Sequence, residues 1–484
     1  MKYHQLILGL LFSILLVACN DKGKNTSEID GTYEQIGYGR IVAIENTHFI
    51  LYDKTSTACL PILNGNIGIY EDQLFLQNDT LQLQDGINLY QFKRLSNTPE
   101  MCNNPLTVEQ KSDPIYNFEV LADYFDEQYA YFELRNVNWD SLRTATRAKI
   151  SSSTGDPELY NIFKDMLDFF NDGHIGLDAP DELVQAAEIL DTTFKQPYDD
   201  EGKYYGDLEI AQLVASHYVR NDLKSSRSGL VKWGFINKRV GYLQVNLMMG
   251  HGENASLEDD LKGMDYLRAY FNELEEFETS LAHTEMEIAG IKATMTEAMH
   301  SLESAEVLLL DVRFNRGGKD EVALEIMRHF NSQPKKVFHK KARFGKGFTP
   351  DRNVYLDAKR LAYSKPVLLL TSCSSASATE IMVLSSLSLE HVVRVGQTTE
   401  GVFSDVLDKT LPNGWEVGLS NEVYQDLHGN NYEHVGITPN IDLNYPEDKQ
   451  ELFRYLAKNL EKDKEMVLKK ASNYLEVNRL ITSF

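Results

Sequence analysis

Apolar residues along this chain change their spacing more than once, and each change marks a different kind of structure. From Gly31 to Phe92 short apolar runs (Arg40-Ile41-Val42-Ala43-Ile44, Phe49-Ile50-Leu51-Tyr52, Gln73-Leu74-Phe75-Leu76) alternate with Asn, Asp and Gly turns, the pattern of a small antiparallel β domain. From about Tyr116 the period becomes helical, with Phe118, Leu121, Tyr124 and Phe125 on one stripe. A second helix opens with Asp156 as N-cap and Pro157 at its first position. It runs through Leu159, Ile162, Phe163, Met166, Phe169 and Phe170 and stops at Asn171-Asp172-Gly173-His174. Asp181 to Lys232 is polar with weak helical signals, and Val231 to Leu247 reads as a pair of strands. Leu257, Leu261, Met264, Leu267, Phe271, Leu274, Phe277 and Leu281, followed by Ile288, Ile291, Met295 and Met299, predict a long helix or helical hairpin. Such a Met and Leu stripe serves either packing or a homodimer contact. Val307 to Leu310, Val367 to Thr371 and Val392 to Val395 are short apolar runs that fit buried parallel strands, so the C-terminal half reads as α/β.

The N-terminus reads as an address. Lys2 precedes an apolar run from Leu6 to Val17 that is short for a bilayer span and ends in Leu16-Val17-Ala18-Cys19, as in a secretory signal. The ending resembles the bacterial lipobox, which implies cleavage before Cys19, a lipid on its sulfur and anchoring in the cell envelope, with the outer membrane as the expected location. Export permits a disulfide between Cys59 and Cys102, although two free thiols fit equally. The expected organisation is a lipoprotein signal peptide (1–18), a tether (19–30), a small antiparallel β domain (31–105), a helical domain ending at the Asp-Gly-His motif (106–184), and an α/β core (185–484) with a helical insertion at about 256–303. The β domain is a spacer or a binding module. A net charge of −24 argues against nucleic acid as a partner, because phosphate recognition needs clustered Lys and Arg.

Candidate chemistry lies where strands give way to helices. Thr371-Ser-Cys-Ser-Ser-Ala-Ser-Ala-Thr-Glu380 places Ser377 between an apolar strand and resuming helix signals, in the field of free N–H groups. A nucleophile and a capping or turn serine both fit there. In Asp311-Val-Arg-Phe-Asn-Arg-Gly-Gly318 two glycines follow a strand, which lets backbone N–H groups approach a ligand or simply makes a tight turn. His174, just past a helix end, projects into a cleft or sits in a surface turn.

These segments, with Gly396-Gln-Thr-Thr-Glu-Gly401, Leu411-Pro-Asn-Gly-Trp415 and Tyr432-Glu-His-Val-Gly-Ile-Thr-Pro439, occur in an order that resembles the C-terminal processing (tail-specific) serine protease family. The resemblance runs from about Tyr116 to Tyr445 and implies a crotonase-like α/β core. It implies Ser377 as nucleophile, with Gly317, Gly318 and the Ala378 backbone at the oxyanion. One branch of that family activates its serine with a lysine where this chain has Val402. The chain instead resembles the tricorn-type branch, whose base is a histidine, and His174 matches it. Imidazole titrates near neutral pH and accepts a serine proton. Glu433 is the candidate third member, with a solvated surface glutamate as the other reading. The tricorn-type pattern has a serine before the histidine where this chain has Gly173, and Arg316 and His434 stand where relatives often have glycine. Ser374 and Ser375 are alternative nucleophiles.

The function implied is a lipid-anchored serine endopeptidase that cleaves a peptide or protein substrate through an acyl-enzyme, with no metal or cofactor. Two other readings stay open: a catalytically silent peptide-binding lipoprotein, and a crotonase-like thioester hydrolase.

Overall fold

The computed structural model describes residues 28–481 except 71, 191–202, 253–256, 259 and 275–279. The signal segment, Cys19 and most of the tether lie outside the described residues.

Seven strands form the N-terminal sheet: β1 (Gly31–Gln35), β2 (Arg40–Glu45), β3 (His48–Lys54), β4 (Cys59–Asn66), β5 (Leu74–Gln77), β6 (Thr80–Asp85) and β7 (Asn88–Leu95). Their order is β4-β3-β2-β1-β7-β6-β5, and neighbours run antiparallel. Side chains alternate between faces. Val42, Ile44, Phe49, Leu81 and Phe92 share one apolar cluster, while Ile41 and Tyr52 pack with the two cysteines on the other face. Cys59 and Cys102 are joined as a disulfide.

After two short helices, Glu100–Asn103 and Val108–Ser112, come three longer ones, Pro114–Gln128, Trp139–Arg147 and Asp156–Asp168. The first is capped by Asp113, whose carboxylate accepts the Ile115 N–H at 2.9 Å. In the third the cap is Gly155 rather than Asp156. Asp156 is the first helical residue, and its charge complements the helix N-terminus without capping an N–H. Phe125, Tyr129 and Phe170 form a ring cluster, with Phe170 centroids 5.0 Å from Phe125 and 4.9 Å from Tyr129. Trp415, in the turn between the strands Val406–Thr410 and Glu416–Ser420, packs against Tyr160 and Phe163. This contact docks the helical layer on that hairpin.

The core sheet has the strand order Ile441–Asp442, Val392–Gly396, Val367–Thr371, Val307–Asp311, Val240–Val245, Val231–Phe235, Lys224–Ser225. The first five pair parallel, and the last two are joined on through antiparallel pairings. Strict alternation covers both faces. Leu308, Leu310, Val367 and Leu369 face the helices Asp320–Arg328 and Ala378–Ser386, and Val307, Leu309, Leu368 and Leu370 face Asp207–Tyr218 and Lys449–Lys458. The 256–303 stretch contains two helices, Gly263–Leu274 and Ser280–Ser301. Leu257, Leu267, Ile291 and Met295 of its stripe are buried in this chain's own cores, whereas Met264 and Phe271 are exposed.

Three loops leave the carboxyl ends of adjacent parallel strands: 312–319 after Val307–Asp311, 372–377 after Val367–Thr371, and 397–405 after Val392–Gly396. That edge of an open parallel sheet is where ligands bind.

Candidate active site

Ser377 occupies the corner between strand and helix, with φ 55° and ψ −130°. This backbone region is costly for any residue carrying a Cβ. Hydrogen bonds oppose the strain: the Ser377 N–H donates to the Val402 carbonyl at 3.1 Å, and its own carbonyl accepts the Glu380 N–H at 2.6 Å. The neighbouring hydroxyls are committed to structure. Ser372 Oγ donates to the Arg313 carbonyl at 2.5 Å, Ser375 Oγ to the Val312 carbonyl at 2.9 Å, and Ser374 Oγ to Asp207 Oδ1 at 3.2 Å. Ser377 Oγ has no partner among the described residues, and the side chain is half-exposed.

The glycine loop lies directly against this corner. A Cβ on Gly317 (φ 104°) would fall 2.6 Å from Ser377 Cβ and 3.0 Å from the Ala378 nitrogen, so only glycine permits the approach. The Gly317 N–H is itself accepted by Asn315 Oδ1 at 2.9 Å. The Gly318 and Ala378 N–H groups have no acceptor among the described residues, which leaves them available to an anion beside Ser377. The loop is braced from below by Arg313, fully buried, whose guanidinium bonds Asp311 at 2.7 and 2.9 Å and Asp463 at 2.9 Å.

His174 reaches the same place from the helical layer. The strand Gly176–Asp178 behind it pairs with Glu416–Ser420. A Cβ on Gly173 would meet both Val402 methyls at 3.2 Å. Gly173 and Ser377 therefore lie against the same residue, one touching its side chain and the other its carbonyl. No direct hydrogen bond joins Ser377 Oγ to His174 among the described residues. His174 Nδ1 is buried without a partner. Burial pushes the imidazole below its ordinary pKa, while Asp172, Asp405, Glu400 and the Ser404 backbone pull upward.

The segment between the two side chains is gripped by two buried carboxylates. Glu380 accepts the Gly401 N–H at 2.8 Å and the Val402 N–H at 2.6 Å, and Glu433 accepts the Phe403 N–H at 2.7 Å and the Ser404 N–H at 3.2 Å. Glu433 thus acts on the backbone beside His174, and it makes no hydrogen bond to the ring itself. Burial raises Glu380 to about 8 and Glu433 to about 7, the latter helped by the nearby charge of Asp172.

Arg135 ties this framework together. Its Nη2 lies 2.5 Å from Glu433 Oε1 and its Nε 3.2 Å from Asp172 Oδ2, with the guanidinium 3% exposed. It also donates to the Asn171 carbonyl and lies 3.3 Å from His434 Nδ1. Asp172 in turn accepts the His174 N–H at 3.0 Å, the Tyr129 hydroxyl at 2.9 Å and the Ser420 hydroxyl at 3.1 Å. Arg316 and Glu400 form an ion pair at the mouth of the site. A cavity of about 460 Å³ opens beside Gly173, with Arg135, Glu400, Val402 and His434 in its wall.

Residues 269–443 match the model of peptidase family S41. That segment, rather more than a third of the chain, is thus similar to peptidase family S41. The carboxy-terminal processing proteases CtpB and CtpA of Bacillus subtilis are 28% identical over 155 residues and 27% identical over 155 residues. The matched stretch covers 31% of this chain and 31% of CtpB, and 32% of each for CtpA, so the chain aligns with about a third of these relatives. The crystal structure of a candidate peptidase from Parabacteroides merdae is similar in fold, with a TM-score of 0.50 and 22% identity over 68% of this chain and 90% of that one. Ser377, the glycine loop and Glu433 lie inside the S41 segment, whereas His174, Asp172 and Arg135 lie before it. Sequence reading missed Arg135 as a site residue, since a lone arginine in a loop carries no motif. Glu380 was legible only as part of the serine motif, without its grip on the 401–402 backbone.

Proposed function

We propose that the protein is a serine endopeptidase of the bacterial cell envelope, lipid-anchored through Cys19, that hydrolyses peptide bonds through an acyl-enzyme. The observation that carries the reading is Ser377 itself: a strained, half-exposed corner at a helix N-terminus, its hydroxyl unpartnered while its neighbours' hydroxyls are all engaged. In the mechanism, His174 takes the Ser377 proton as the oxygen attacks the carbonyl, then gives it to the leaving amine. A neutral imidazole suits this role, and burial favours that form. The Gly318 and Ala378 amides meet the developing oxyanion, and Gly317 supplies the close approach. Glu433 and Asp172 position the imidazole, Glu433 through the Phe403 and Ser404 amides and Asp172 through the His174 N–H. Water then releases the acyl group.

Anchoring rests on the Leu-Val-Ala-Cys ending, and the Cys59–Cys102 bridge fits an oxidising compartment. Labelling with a fluorophosphonate probe tests the chemistry. Wild type should label, Ser377→Ala should not, and His174→Ala should label far more slowly. A folded wild type that stays unlabelled would favour a peptide-holding role, and turnover of acyl-thioesters in place of peptides would favour thioester hydrolysis. Cys19→Ser should move the protein from the membrane to the soluble fraction.

A further inference from the structure

The N-terminal sheet holds a cavity that the peptidase reading does not use. The sheet curls so that Leu63 of β4 and Leu74 of β5, its two edge strands, line the same space of about 490 Å³. Small-molecule sites fall in the range of roughly 300–1,000 Å³. Its wall is mostly aliphatic and aromatic, and apart from Tyr70 the polar residues facing it are Gln35, Arg40, Asp85 and Tyr90. The strand register gathers these four at one end. Gln35 is opposite Arg40 on β2 and Phe92 on β7, Tyr90 is opposite Leu83, and Asp85 is opposite Asn88. The ends of β1 and β6 therefore meet the starts of β2 and β7. This end faces the core, where the Tyr38 hydroxyl donates to Glu422.

The polar groups there differ in how they are satisfied. Arg40 is already engaged, by Asp53 at 3.3 Å and the Asp408 carbonyl at 3.1 Å. Gln35 is only 4% exposed, and its amide has no side-chain hydrogen bond among the described residues. The Asp85 carboxylate has neither a hydrogen bond nor an ion pair there, and burial holds it above the ordinary carboxylate range, with Lys319 and Asp405 as opposing distant charges. Asp85 is half-buried, so its unpaired carboxylate can be reached from the chamber. An apolar chamber with an unmatched carboxylate and a free amide at one end is complementary to a molecule with an apolar body and a single positive head.

We propose that this cavity binds a small amphipathic amine, its hydrocarbon part against Val42, Phe49 and Leu81 and its ammonium on Asp85, with the Gln35 carbonyl and the Tyr90 oxygen accepting the remaining N–H bonds. A carboxylate head would instead face Asp85, with Arg40, the only cation of the wall among the described residues, already occupied.

The test uses the full mature chain and three probes of equal length, dodecylammonium, dodecanol and dodecanoate, each below its micellar concentration. Calorimetry near physiological salt keeps the acidic surface from gathering amine. Dodecylammonium should bind one site about tenfold or more tighter than dodecanoate, as a charge-assisted hydrogen bond provides. Asp85→Asn should cost the amine about tenfold and leave dodecanol unchanged. Leu83→Trp should exclude all three, and Leu63→Trp at the rim replaces it should that variant fail to fold. No saturable site, equal binding of dodecanoate, or amine binding indifferent to Asp85→Asn would overturn the proposal. None of these residues belongs to the peptidase site, so the outcome is independent of that reading.

Discussion

The Ser377 corner is built from main chain, whereas the His174 loop is held by side chains from distant parts of the sequence. At Ser377 a strand, a turn and a helix follow one another within a few residues, and the contacts that fix the corner are backbone bonds to Val402, Glu380 and Asn315. At His174 the position depends on Arg135 joining Asp172 to Glu433, residues from three separate stretches of chain. The comparison teaches that the two halves of one site fail differently. The corner is robust in structure and fragile in chemistry, and the loop is the reverse.

The largest effect separates chemistry from fold at the corner. Ser377→Gly should lower kcat by about 10⁴-fold or more, as removal of a catalytic serine does, and still raise stability by about 1–2 kcal/mol by relieving the positive φ. Denaturant unfolding beside peptide turnover checks both, and a destabilised variant would remove strain from the account. The loop should answer in the opposite sense. Arg135→Met leaves Asp172 and Glu433 buried without their cation, and unpaired buried charge costs about 3–5 kcal/mol. A loss under about 1 kcal/mol would mean that the clasp is not structural.

A smaller effect reads the pH profile. The imidazole must be neutral to accept a proton, and burial lowers its pKa from 6.5, so the acid limb of kcat/KM should fall below 6.5. Glu433→Gln should reduce kcat by about 10- to 100-fold through displacement of the 403–404 backbone while keeping that limb. A wild-type limb near 7 that disappears in Glu433→Gln would instead assign the titration to Glu433. The smallest effect belongs to the mouth of the site. Arg316→Gln breaks a partly exposed ion pair with Glu400 and should change stability by less than about 1 kcal/mol. Any change in substrate preference would then be a separate property of the opening.

Legibility followed the same division. Ser377, the 317–318 glycines and the parallel strands could be read because each depends on a short run of sequence: continuous apolar runs for the strands, a break in period for the corner. Three of the seven strands of the N-terminal sheet were visible as apolar runs between turns, but the other four, the curl and the chamber inside it were not, because curvature depends on how edge strands meet. Arg135 was invisible for a related reason. Its partners are 37 residues away at Asp172 and much further at Glu433, and no local pattern requires an arginine there. Glu433 was legible as an important position and misjudged in its contacts, since the motif gives its place and the fold decides that it holds amides instead of a ring nitrogen.

Four successive peptide groups, 401 to 404, carry the connection between hydroxyl and imidazole, and both clamps on them close on N–H groups. The identity of the side chain at 402 is therefore uncoupled from the scaffolding that sets the distance across the cleft. A lineage could exchange the residue there, and with it the group that deprotonates the serine, without rebuilding the frame around it. In this chain valine takes the place, and Gly173 leaves just enough room for its methyls.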